Sequence, residues 1–514
     1  MATEAIGASS AQESFDVSKE KGLERLHGNA VGIWGILFLT VTGAAPMTAM
    51  LGNVPFAAGF GNGIYVPAAF LLATIVLTIF SIGYAAMARE VSSVGGFYSF
   101  ISQGLGREMG MAAGLASLSC YSVFEASLTG IFAFFANSWL STHFGINVPW
   151  LYLSLFAIIL GTFLSYFDVK LSAGILGVAL ILEVIILVLF NFGVMTATSG
   201  TNFSMESLNV FNVLTPVVAQ KVGEADIAAG AAAVGIFMAF WSWVGFEMAP
   251  NYAEESENPK RTIPLSLYLS VIGLGLFYTL TSWCAVAAYP TEGDMLAKAV
   301  KDSGNFFISP ITQFVGPWAG EAMGVFILTS AFACGLTFRN TTARYMYSLG
   351  REGVLPSFLA NTHDRYKSPH VAAMAQGVLA ATWVGLFAYF LGTDDPNAQA
   401  YVGVYTLLAI FGTMLLLILQ AIVSIAIIVY FRKNGGGGVF STILAPLVAF
   451  VAQMYLVYLL VDNLATFGGS GGFGSNIPLI AVVILVVGFL WGLLLRFIAP
   501  DTHARIGRLV YTEA

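Results

Sequence analysis

Residues 231–264 read AAAVGIFMAFWSWVGFEMAPNYAEESENPKRTIP, and the fold turns on how they are read. The stretch opens as an apolar membrane helix. At Trp241-Ser242-Trp243-Val244-Gly245-Phe246-Glu247 it becomes polar, aromatic and glycine-bearing, at a depth where hydrocarbon should surround it. It then leaves through Glu254-Glu255 and Asn258-Pro259-Lys260-Arg261. Hydrocarbon supplies no water to an interrupted backbone, so such a segment persists only where protein or a wet cavity satisfies it. A charge at that depth costs roughly 2.5–3.5 kcal/mol on the insertion scale, which makes Glu247 a candidate functional group. The plainer reading is an unbroken helix with Glu247 bonded to a neighbour. Gly245 and the polar cluster beside it favour the interruption.

The rest of the chain supports a membrane setting. Of its 514 residues, 57% are hydrophobic and 10% charged, against about 25% charged in soluble domains. At roughly 20 residues per span the length admits about a dozen spans with short loops. Apolar runs fall at 30–58, 65–88, 109–137, 149–167, 171–196, 230–250, 264–289, 318–347, 369–391, 401–431, 441–463 and 476–498. Twelve helices put both termini on one side. Of the 21 Lys and Arg residues, all but Lys221, Lys298, Lys301 and the in-span Arg339 lie on that side, so both termini are expected in the cytoplasm. The net charge of −7 carries no nucleic-acid signal. Cys120, Cys284 and Cys334 lie in apolar runs and read as small buried hydrophobes. No cleavable signal peptide is visible, and the polar residues 1–28 read as a disordered tail. Phe467–Asn476 and Gly435–Gly438 read as flexible linkers.

The first apolar run has a break of its own, at Thr42-Gly43-Ala44-Ala45-Pro46. Pro46 has no N–H and crowds the preceding turn, and Gly43 tolerates unusual dihedrals. The interrupted spans are the first and the sixth, the same position in two successive groups of five. Paired interruptions of this kind point to a transporter built from inverted repeats, with its substrate where they cross. The expected fold is therefore an all-α integral membrane protein with discontinuous first and sixth helices. Its repeats would cover 29–196 and 228–432, with peripheral helices over 441–498 and a tail at 499–514.

Other spans carry further candidates. Tyr121 and Glu125 stand four apart in the third span and share a helix face. A carboxylate facing the centre would favour an ammonium group, with cation–π help from Trp241 and Phe338; the alternative is a Glu125 paired within the bundle. Glu183, apolar-flanked in the fifth span, needs a partner, a proton or an ion. Arg344 reads as an interfacial anchor with its head group at the membrane surface, and Arg339 as an interior residue.

With these residues in hand, the chain resembles the amino acid–polyamine–organocation transporters. One motif is Gly245-Phe246-Glu247 with Glu255, Asn258-Pro259-Lys260-Arg261 and Ile263-Pro264. Another is Glu90 followed, beyond Ser92-Ser93-Val94, by Gly95-Gly96-Phe97-Tyr98. The third runs from Arg344-Tyr345 through Gly353-Val354-Leu355-Pro356 to Pro369-His370-Val371-Ala372. The resemblance covers roughly 30–435 and implies alternating access. It implies a substrate pocket formed by Thr42, Gly43, Ala44, Ala45 and Pro46 of the first break and Trp241, Ser242, Val244 and Gly245 of the sixth. A third-helix face with Tyr121 and Glu125, and the eighth-helix Phe338, would complete it. Glu247 matches a glutamate linked to proton-driven cycling in some relatives. Two departures matter. Many members carry Gly-Ser-Gly at the first break, so carboxylate recognition there carries over less securely. Many proton-coupled members have a lysine where this chain has Glu183, so here protonation would neutralise the group.

No Gly-x-x-x-x-Gly-Lys-Ser/Thr loop and no nucleotide-binding domain is present. Transport would run on a proton or sodium gradient with no cofactor; the proton is the favoured reading, through Glu183 and Glu247. The expected substrate is an amino acid or related amine, and polyamine import or amino-acid exchange stay open. A channel, a non-transporting sensor and an intramembrane enzyme are the other classes, and no nucleophile–base pair or metal-ligand cluster supports the last.

Overall fold

A computed structural model describes residues 15–16, 31–91, 95–166, 169–198, 202–223, 225–366, 368–464, 472–507 and 509–510. Ser92–Val94, most of the 1–28 tail, 467–471 of the Phe467–Asn476 linker, and 508 and 511–514 of the C-terminal tail lie outside the described residues. Within the first tail, Phe15–Asp16 (β1) pairs in parallel with Leu509–Val510 at the other end of the chain.

Among the described residues, ten helical runs are long and apolar enough to cross a membrane. The run Ile33–Glu90 holds two of the expected spans. Its first half is α1 (Ile33–Ala44) with a continuation over 46–62, and its second is α2 (Val66–Glu90). Between them Gly61 leaves helical dihedrals and Gly63 takes φ 56°, so the chain turns back. The shorter apolar helix Trp150–Ser165 (α5) completes the twelve read from the sequence. The protein is thus the expected all-α, multi-pass membrane protein.

Two long helices frame the interior. α4 (Arg107–Phe144) follows the short α3 (Gly96–Leu105). At 38 residues it runs about 57 Å, well beyond the roughly 30 Å of a hydrocarbon core. It buries Tyr121, Phe124, Glu125 and Leu128. After α5 come α6 (Val169–Ala197), α7 (Ala232–Trp241) and α8 (Pro259–Ala287), which lies along α2. A hairpin, β2 (Gln220–Val222) with β3 (Ala225–Ile227), and the short helices α9 (Glu292–Lys301) and α10 (Ile308–Phe314) lie between spans. The second long helix is α11 (Pro317–Arg351), packed against α4. Then follow α12 (His370–Leu391), α13 (Leu408–Asn434), α14 (Ala445–Asp462) and α15 (Phe473–Ile498). The last two are peripheral, as expected. α15 leaves Leu479, Val482, Val486 and Leu490 exposed, which hydrocarbon solvates where water would not.

The first and sixth segments run side by side in opposite directions. At one end Val31 donates its N–H to the Glu255 carbonyl (2.9 Å) and Glu257 to that of Val31 (3.3 Å). At the other, Ala231 donates to the Phe60 carbonyl (3.0 Å). Midway, Gly43 meets Gly245. The two interrupted segments are therefore neighbours along their whole length.

Candidate functional site

Each break has its own local cause. In the first, Ala45 sits at φ 44°, ψ 76°, the one non-glycine with positive φ among the described residues. Such a residue costs about 1–3 kcal/mol and persists only where its surroundings impose it. Pro46 then opens the resumed helix, a position where its missing N–H is no loss. Other elements satisfy the freed groups. Cys334 Sγ donates to the Gly43 carbonyl (3.0 Å), Tyr278 Oη to that of Ala44 (3.1 Å), and Thr48 N–H to Ser330 Oγ (3.3 Å). In the sixth segment α7 stops at Trp241, Ser242–Gly245 form a turn, and Phe246–Glu255 continue as a 3₁₀ helix containing Pro250. Gly245, at φ 128°, donates its N–H to Glu247 Oε2 (3.0 Å).

The crossing allows no side chain. A Cβ on Gly245 would lie 2.5 Å from the Gly43 carbonyl carbon and 2.7 Å from the Ala44 nitrogen. Two backbones touch there, so glycine is required by approach as well as by dihedral.

Beside the crossing lies a small cavity of about 10 Å³. Gly43, Ala44, Ala45, Trp241, Ser242, Val244 and Phe338, all expected, line it. Thr42 and Pro46 are buried next to it without lining it. Thr48, Ala49, Asn53, Leu128, Cys334 and Tyr405 also line it and were not foreseen. Four of the cavity's polar groups form a chain. Trp241 Nε1 donates to Tyr405 Oη (2.9 Å), Tyr405 Oη to Asn53 Oδ1 (2.5 Å), and Asn53 Nδ2 to Ser242 Oγ (2.8 Å). Asn53 was legible as a lone amide in an apolar run. Tyr405 was legible with Tyr401 as a polar-tipped pair four apart on one helical face; Tyr401 Oη donates to the Gly52 carbonyl (2.6 Å).

Next to this cavity is an aromatic layer. Phe124 lies 4.5 Å from Trp241 and 5.2 Å from Phe338, centroid to centroid, and Tyr121 stacks on Phe338 at 6.2 Å. Tyr121 Oη donates to Glu247 Oε1 (2.8 Å). Glu247 thus bridges the turn at Gly245 and the face of α4. Tyr84 Oη reaches its carbonyl (3.2 Å).

Glu125 is not brought to this cavity. It ion-pairs with Arg339 and accepts from Gln376 Nε2 (2.9 Å). Arg339 is interior, as expected, and donates also to Thr162 Oγ1 and to the Ile158 carbonyl (3.0 Å). Glu183 is buried on α6, within reach of the hydroxyls of Thr329 (3.4 Å) and Ser330. Arg344 requires correction. It is fully buried, pairs with Glu255 (2.7 Å), and lies 4.6 Å over the Tyr252 ring. A carboxylate and an aromatic face inside the bundle replace the water that an interfacial anchor would reach for. Cys120, Cys284 and Cys334 are free and buried.

Two discontinuous antiparallel segments that meet backbone to backbone beside a small cavity lined by buried residues define the class as a solute permease. The family model described as amino acid permease matches residues 31–490. The chain belongs to that family, within the amino acid–polyamine–organocation superfamily. It is 22% identical to the branched-chain amino acid permease BcaP of Bacillus subtilis (strain 168), over 96% of each chain. It is 23% identical to the low-affinity putrescine importer PlaP of Escherichia coli (strain K12), over 65% of this chain and 70% of the importer. It is 21% identical to the glutamate/gamma-aminobutyrate antiporter of Lactococcus lactis, over 53% of each. The protein is a transporter of amino acids or amines and not an enzyme.

Proposed function

We propose that this permease is a secondary active transporter that carries a small amino acid or related amine across the cytoplasmic membrane by alternating access, driven by a proton gradient. The observation that carries the reading is the Gly43–Gly245 crossing beside the cavity. A substrate between the two breaks touches both segments at once. Besides the bonds they already make, Ser242 Oγ and the Gly43 and Ala44 carbonyls each keep a lone pair for a substrate donor, and Trp241 and Phe338 offer aromatic faces to an ammonium group. Thr42 and Pro46 shape the first break, and Tyr121 supports the sixth through Glu247. The division into repeats at 29–196 and 228–432 assigns one break to each. The Lys/Arg asymmetry supports an orientation with both termini in the cytoplasm.

Glu183 is the coupling group in this reading. Ser330 bonds both its carboxylate and the Thr48 N–H, just past the first break. Gain or loss of a proton at Glu183 therefore acts on the resumed half of the first segment. Glu247, on the sixth break, is the second candidate. Glu125 is assigned to the frame, since Arg339 and Gln376 occupy its oxygens.

The test is uptake into proteoliposomes. A thermal-shift screen against amino acids and polyamines first selects the ligand, because a compound that binds the folded form raises its stability. The expected result is saturable uptake of that ligand, faster with the outside acidic and slowed by an uncoupler. Binding without flux would make the protein a sensor, and unitary currents would make it a channel.

A further inference from the structure

A second small cavity, of about 10 Å³, lies between α4, α5 and α11. Glu125, Thr129, Gly161, Gly335 and Arg339 line it. One residue, Leu128, lines both this cavity and the central one. It is buried on α4, and a Cβ built on Gly335 would lie 3.6 Å from its own Cβ. The opposite helix shows the same division. Ala331, Gly335 and Arg339, four apart, face the second cavity, and Cys334 and Phe338, also four apart, face the central one. Leu128 is the partition between two adjacent spaces. Each holds about 10 Å³ of free space, about one water, so room for a longer side chain arises only where Leu128 itself is shortened.

The second cavity also contains an unanswered donor. Arg339 Nε is buried and has no hydrogen-bond partner, although both terminal nitrogens are bonded. A Cβ on Gly161 would lie 3.4 Å from that Nε, so the donor faces the gap left by a missing side chain. A buried N–H without an acceptor costs about 1–3 kcal/mol. Glu125 already balances the guanidinium charge. The matching group is therefore a neutral acceptor, a carboxamide or a hydroxyl.

We propose that Leu128 determines which side chains the central site accepts, and that shortening it joins the gap behind it to the central site and opens room there for the neutral, hydrogen-bond-accepting end of a longer substrate. The proposal rests on the transport reading above. It says that the wild-type chain favours a short apolar side chain, which stops at Leu128, over one ending in a carboxamide.

The experiment compares valine and glutamine as probes, in uptake and in thermal shift, on the full-length protein. In Leu128→Ala the glutamine-to-valine ratio of kcat/KM should rise about tenfold, the size of one hydrogen bond to a charged group. Adding Gly161→Ala puts a methyl group in front of Arg339 Nε and should bring the ratio back toward the wild-type value. A ratio that does not move in Leu128→Ala overturns the proposal. So does a rise that Gly161→Ala fails to reverse, because Arg339 then has no part in it. If Leu128→Ala does not fold, Leu128→Val lowers the wall less and should shift the ratio the same way by a smaller factor. If the wild type shows no flux at all, the transport reading fails by itself; the same ratios then come from ligand-induced thermal shifts, and the partition stands or falls on those.

Discussion

Glu125 and Glu183 are two buried carboxylates in two apolar spans, and they have opposite surroundings. Glu125 faces a guanidinium and a carboxamide, and its partner Arg339 is itself bonded to α5 and α12. Glu183 faces two hydroxyls, and among the described residues it forms no ion pair. The same residue type is therefore a fixed strut in one place and an unneutralised group in the other. The difference lies in the neighbour, since a charge in hydrocarbon is stable only with a matching charge or a bound proton. The strut joins α4, α5, α11 and α12, and the unneutralised group adjoins the interrupted segment.

This contrast can be broken experimentally. The largest effect is expected for Glu125→Gln, which leaves Arg339 buried without its counter-charge. Stability should fall by about 3–5 kcal/mol, seen as a large drop in the midpoint of thermal unfolding in detergent. Replacing both partners with Met should recover much of that loss; if the double variant is no better than the single, the pair is not the strut described here.

Gly245→Ala should come next. The added methyl collides with Gly43 and Ala44, with a stability loss of about 1–3 kcal/mol. Uptake should fall far more than stability does, because the two breaks can no longer touch. Retained uptake at normal rates would mean that the crossing is not the transport site.

Glu183→Gln should lower stability by about 1 kcal/mol or less, since only hydroxyl contacts change. Its effect belongs to coupling: uptake should continue down a substrate gradient and lose its response to an imposed pH gradient. An unchanged response to the gradient would pass the coupling role to Glu247. The smallest effect is expected for Thr329→Val, which removes a hydroxyl whose proton is shared between the Phe326 carbonyl (3.0 Å) and Glu183 (3.4 Å), worth a few tenths of a kcal/mol. A shift in the pH at which uptake is half-maximal would show that the hydroxyl tunes Glu183.

The two interruptions at the candidate site were legible in the sequence. Pro46 and Gly43 mark one interruption and Gly245 the other, because the inability of proline to donate and the freedom of glycine are properties of single residues. Trp241, Ser242 and Val244 adjoin Gly245 in the chain, and Phe338 was expected only from the family resemblance. Asn53 and Tyr405 were harder. They are 352 positions apart and matter because they bond each other and Ser242 across the cavity. Arg344 was misread because its reach to water was judged from the helix end, while Glu255 and Tyr252 come from another segment.

The sequence by itself determined the number of apolar runs, the two places where helix cannot continue, and which spans carry charge, since each is a property of contiguous residues. Tertiary structure decided which partner each charge has: Arg339 for Glu125 across 214 positions, Glu255 for Arg344, hydroxyls for Glu183. Helical periodicity says which residues share a face, but the face that packs opposite is chosen by the whole bundle. A buried charge takes its role from what that packing brings within about 3 Å of it.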